Sequence, residues 1–74
     1  MRYQIRAVAD PEMSAKETLR GEVLAETDDR DEAKRMAVDL SAGLPWGTAI
    51  IDTMEQRIDW GDHVTDFSGR EIPV

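Results

Sequence analysis

The sequence predicts an α+β domain: a four-stranded, mostly antiparallel sheet with one α-helix, about residues 29–42, packed on one face, in the order β-β-α-β-β. Three observations predict it. Residues 2–9 and 18–27 alternate apolar and polar side chains, the period of a half-buried strand. Residues 29–42 instead carry an apolar stripe at helical spacing. Two short β-rich runs follow, at 47–53 and 57–60, separated by a turn.

In the first strand Tyr3, Ile5 and Ala7 point one way, and Arg2, Gln4 and Arg6 the other. Asp10-Pro11 breaks it, because proline donates no ladder hydrogen bond. Residues 10–17 read as a polar loop. In 18–27, Leu19, Val23 and Ala25 share a side with Gly21 and Thr27, opposite Arg20, Glu22, Leu24 and Glu26. This second strand is expected to run antiparallel to the first. The helix opens on Asp28 and Asp29, either of which can cap its first turn, and Asp29-x-x-Glu32 has capping-box spacing. Ala33, Met36, Ala37 and Leu40 form its apolar stripe. Gly43 is placed to close it in the left-handed conformation, with Leu44 beyond, and Pro45 prevents continuation. The third strand has a buried centre, and a turn around Met54-Glu55-Gln56 leads to the fourth. Residues 67–74 are expected to fray or to add a short edge strand to this single domain, 1–74. The sheet face away from the helix, carrying Arg6, Arg20, Glu22, Glu26 and Asp59, is expected to be wet or to serve for docking.

A chain of 74 residues buries only about 60% of its unfolded surface. It has no cysteine for a disulfide or a thiolate metal site, so one apolar core must hold it. Sixteen acidic residues against nine basic ones give a net charge of −7, which opposes binding to nucleic acid or anionic membranes and favours basic partners. No apolar run approaches the roughly 18 residues of a membrane span. The first residues lack the apolar stretch of a signal peptide, and Arg2 in place of glycine excludes myristoylation. The expected location is the cytoplasm.

Few residues suggest catalysis. His63, the single histidine, lies among Asp59, Asp62 and Asp66, but their spacing matches no standard metal loop. The run 28–32 is dense in carboxylates, yet a solvated helix start lacks the contrast of environments that acid–base chemistry needs. Ser14, Ser41 and Ser68 lack a nucleophile motif, and the five glycines form no phosphate loop. No enzyme, cofactor or metal is expected. Carboxylates concentrate in 26–32 and 52–66, and they merge into one negative patch if the helix start lies near the fourth strand. The candidate partner-binding residues are therefore Asp28, Asp29, Asp31, Glu32, Asp52, Glu55, Asp59 and Asp62. Trp46 is the candidate anchor, because tryptophan is enriched at interface hot spots; Trp60, sharing parity with Ile58, reads as core.

The β-β-α-β-β order and the mid-chain helix opening Asp28-Asp29-Arg30-Asp31-Glu32-Ala33-Lys34-Arg35-Met36-Ala37 resemble some anti-CRISPR proteins of phages and mobile elements. The resemblance covers residues 1–61, is one of layout, and transfers no individual residue. It implies a non-enzymatic inhibitor that occupies a nucleic-acid-handling complex in a host cytoplasm. The expected function is accordingly an acidic protein that occupies a basic surface on a protein partner. The alternative is a housekeeping accessory domain, as a homodimer joined through the open sheet face or an edge strand.

Overall fold

The computed structural model describes residues 1–73; Val74 lies outside the described residues. Seven elements occur in the order β1 (Tyr3–Ala7), α1 (Ala15–Arg20), β2 (Val23–Thr27), α2 (Arg30–Ser41), β3 (Thr48–Asp52), β4 (Arg57–Asp59) and β5 (Val64–Asp66). The strands form one antiparallel sheet in the spatial order β2-β1-β3-β4-β5. The α+β class and the antiparallel sheet are as expected from the sequence, but among the described residues there are five strands and two helices instead of four and one. Among the described residues no helix is long and apolar enough to cross a membrane.

The first correction is α1. Residues 15–20 are helical, where the alternation of 18–27 predicts strand and 10–17 predicts loop. The cause is local. Ser14 caps the turn, its hydroxyl accepting the Glu17 amide at 3.2 Å and donating to the Glu17 carboxylate at 3.1 Å. That is a capping-box spacing three residues apart. Ala15 and Thr18 are then buried on one side, with Leu19 partly buried. Only Val23–Thr27 remains strand, pairing with β1 across an irregularity between Ile5 and Arg6.

The second helix matches the expectation within a residue at each end. Asp29 accepts the amides of Asp31 at 2.9 Å and Glu32 at 3.4 Å. Its own amide goes to the Thr27 hydroxyl instead of Glu32, so the capping box is only half closed. Of the apolar stripe, Ala33 and Ala37 are buried, Met36 partly so, and Leu40 lies at the margin at 36% exposure. Gly43 does not take the left-handed conformation; the helix ends at Ala42 in ordinary right-handed geometry. The hydroxyls of Ser41 and Thr48 both reach the Ala37 carbonyl, at 2.6 and 2.9 Å, and hold the helix end without a glycine cap. Positive φ appears instead at Gly47 (75°), where the Gly47 carbonyl accepts the Val8 amide at 3.0 Å and fixes the corner onto the end of β1.

The sheet is covered on both faces, which the sequence reading did not anticipate. Tyr3, Ile5, Ala25 and Ile50 pack under Ala33, Met36 and Ala37 of α2. The far face carries Ala49, Ile51 and Ile58, covered by Ala15 and Leu19 of α1 with Val8, Trp60 and Phe67. A far face left wet along its length is therefore incorrect. It is shielded under β3 and β4, and Arg6, also expected there, is half-buried and donates to the Gly21 carbonyl and to Gln4. Residues 67–73 follow β5 with one isolated bridge back to it. Glu71 bridges Thr65, and Asp66 accepts the amides of Ser68 and Arg70, both at 2.9 Å, folding the segment back along β5.

Candidate functional site: an acidic end of the sheet

Antiparallel pairing puts the start of β1, the end of β2, the end of β3 and the start of β4 at one end of the sheet, and α2 begins there too. Residues far apart in sequence meet through Arg2. Its amide donates to Asp28 Oδ1 at 2.9 Å. Its Nε and Nη2 each reach an oxygen of Asp52 at 3.1 Å, a two-pronged grip, and Nη2 lies 4.0 Å from Glu55. The guanidinium sits over the Tyr3 ring, 5.0 Å from its centre. The Arg2 carbonyl in turn accepts the amide and hydroxyl of Thr53, at 2.9 and 2.7 Å. The helix start and the β3–β4 turn are thereby tied to one residue.

Asp52 is the most enclosed of these carboxylates, its side chain 18% exposed. Burial works against its charged form. The Arg2 guanidinium and the amides of Glu55 and Met54 outweigh that and hold its carboxyl below the usual range. The hydrogen bond to Asp52 likewise raises the Arg2 guanidinium above its ordinary value, against desolvation.

Asp29, Asp31 and Glu32 are exposed, and Asp29 is turned inward as the cap. Among the described residues the ion pairs join Arg2 to Asp52 and Glu55, the terminal amine to Glu26, and Asp62 to His63; Asp31 and Glu32 enter none of them. Six of the expected residues, Asp28, Asp29, Asp31, Glu32, Asp52 and Glu55, thus share one end of the molecule.

Asp62 and Trp46 do not join them, and Asp59 adjoins them only in part. Asp59 pairs with Ile50 in mid-sheet, on the α2 side and not on the far face, in a recess of about 100 Å³ that Asp52 also lines and in which Arg30, Lys34 and Arg57 set three cations beside the two carboxylates. Asp62 and Trp46 lie at the opposite end, lining one groove together. Trp46 is 53% exposed, whereas Trp60 packs against the far-face core and donates its indole N–H to Thr65 at 2.9 Å. Nδ1 of His63 sits 2.6 Å from Asp62 Oδ1, and that hydrogen bond holds the Asp62 carboxyl below its usual range. Among the described residues no three His, Asp or Glu side chains converge as a metal site would require.

Arg2 is the organising residue that reading the sequence missed. Its partners lie 26 and 50 residues away, and only strand pairing brings them near. Compared with protein-family models, with curated proteins and with solved structures, the chain has no match in any of the three.

Proposed function

We propose that this protein is a non-enzymatic binding protein that acts by occupancy, pressing the acidic end of its sheet onto a basic surface of a protein partner. The observation that carries this reading is the gathering of six carboxylates at one end of the sheet, three of them (Asp28, Asp52 and Glu55) held by Arg2, with Asp31 and Glu32 exposed and unpaired among the described residues. Such a field speeds encounter with a cationic surface and rejects anionic ones. Tying the helix start to the β3–β4 turn also presents these charges on a framework that needs little ordering when it binds. A basic groove that normally holds nucleic acid is the kind of surface this end complements. Inhibition of a nucleic-acid-handling complex, as in the anti-CRISPR proteins, is the specific form of the proposal.

The test compares the full chain with a variant carrying Asp31→Lys, Glu32→Lys and Glu55→Lys. None of these residues caps the helix or closes an ion pair shorter than 4.0 Å. Protein captured from the source organism by the native chain is purified, and its affinity is measured from low to physiological salt. The proposal predicts a steep loss of affinity with salt, with the variant roughly tenfold or more weaker and its salt dependence flattened. Equal affinity and equal salt dependence for the two proteins overturn it.

A homodimer is the second reading, and one feature favours it: β2 is an outermost strand, and Leu24 on it is exposed. Sedimentation of the purified chain as a stable dimer selects this reading.

A further inference from the structure

The end of the sheet opposite the acidic cluster carries a second, differently built surface. Three loops meet there: the β1–α1 loop, the Pro45-Trp46-Gly47 corner and the β4–β5 turn. Between them lie a cleft of about 380 Å³ and an adjoining groove of about 300 Å³, which share Val8, Pro11, Trp60 and His63. Cavities of this size hold small ligands or several side chains of a peptide.

Each wall is fixed before anything binds. The Trp60 amide donates to the His63 carbonyl and its indole N–H to Thr65, both at 2.9 Å. His63 stacks on Trp60 with ring centres 6.0 Å apart and planes 12° from parallel, and Asp62 holds the imidazole by Nδ1. Gly61 makes the turn at a φ of 100°, with its amide on the Asp59 carboxylate at 2.9 Å. Across the groove Trp46 stands half-exposed on the corner that Val8 pins. In the β1–α1 loop the Met13 amide closes a turn onto the Asp10 carbonyl at 3.0 Å, with the Glu12 amide on the Asp10 carboxylate at 2.8 Å. Such fixed aromatic faces suit a guest that is itself stiff and extended.

The rim decides the charge of that guest. Asp10, Glu12 and Asp62 line the two cavities, opposed among the described residues by Lys16 alone of the lysines and arginines. Indole faces attract cations through the ring quadrupole, and nearby carboxylates add to that attraction. We propose that this cleft binds an extended, arginine- or lysine-bearing segment of a protein partner, the cationic side chain lying against Trp46 and Trp60 beside Asp62. The inference goes beyond the acidic-end reading and stands without it, because the two surfaces share no residue.

The probe is a seven-residue peptide alternating proline and arginine, with a proline–glutamate peptide as control, titrated into the full chain at about 0.15 M salt. There the screening length is about 8 Å, so the distant acidic end contributes little. The expected result is saturable binding of the arginine peptide only, read by tryptophan fluorescence, with amide shifts at Trp46, Trp60, Gly61 and His63. Trp46→Ala, half-exposed and able to fold, weakens binding roughly tenfold. Asp62→Asn weakens it about threefold, and the triple lysine variant of the acidic end stays within about threefold of native. Any of four results overturns the proposal: no saturable binding, equal binding of the glutamate peptide, native affinity for both Trp46→Ala and Asp62→Asn, or shifts confined to residues 28–32 and 52–55.

Discussion

Replacing Ser14 with alanine tests the least expected element of the fold. Helix α1 has six residues, far fewer than the roughly 12–15 an isolated helix needs to persist in water. Its stability therefore comes from its cap and from Ala15, Thr18 and Leu19 packed on the sheet. Ser14 supplies the cap, accepting the Glu17 amide, and its exposed position means that alanine removes this contact without opening a cavity. Loss of a serine N-cap costs about 1 kcal/mol when alanine replaces it and only a few tenths when glycine does. In a chain of 74 residues, 1 kcal/mol lowers Tm by about 4–8 °C. The expected order of Tm, followed by circular dichroism, is native, then Ser14→Gly within about 3 °C, then Ser14→Ala lower by about 4–8 °C. An extended or disordered 14–20 would make both changes ordinary surface substitutions, within about 0.5 kcal/mol of native. A Ser14→Ala variant that melts with the native chain refutes the helix.

Two further predictions concern the core and the acidic end. Ile58→Ala, at a fully buried position on the α1 face, is expected to cost about 2–5 kcal/mol. A chain of this length holds roughly 4–11 kcal/mol in all. The urea midpoint should therefore fall by a large fraction, whereas a loss under about 1 kcal/mol would mean this face is not packed. Asp52→Asn removes a carboxylate whose pKa folding depresses, so its contribution is present above the ordinary value of 3.8 and lost as pH falls through the folded value. The variant should melt below the native chain at pH 7, and the gap between the two Tm values should narrow as pH falls below 3.8; a gap that stays constant as the pH is lowered contradicts the assignment.

The parts of the fold legible in the sequence were those in which one period dominates a whole element. β1 alternates cleanly, and α2 combines an Asp29 cap with Ala33 and Ala37 at helical spacing. Residues 18–27 misled because Leu19, Val23 and Ala25 fit a two-residue period, while a six-residue helix is too short to display its own. Ser14-x-x-Glu17 was the available signal. The second core was also announced, by Ala49-Ile50-Ile51: three consecutive apolar residues in a strand imply cover on both faces. Gly43 has the composition of a helix cap, but the hydroxyls of Ser41 and Thr48 hold the Ala37 carbonyl from positions no local pattern reveals. The candidate site was legible as charge and not as geometry. Carboxylate density pointed to 26–32 and 52–66, but sheet register decides that Asp52 and Glu55 meet the helix start through Arg2. The same register sends Asp59 to mid-sheet and Asp62, with Trp46, to the far end.

The most direct test of the central claim is a footprint of the captured partner on the native protein, taken by amide chemical shifts at low and at physiological salt. Docking through the acidic end predicts perturbed amides at residues 28–32 and 52–55, shrinking together as salt is added. A footprint on the outer edge of β2 that is indifferent to salt, with residues 28–32 and 52–55 unmoved, would contradict it.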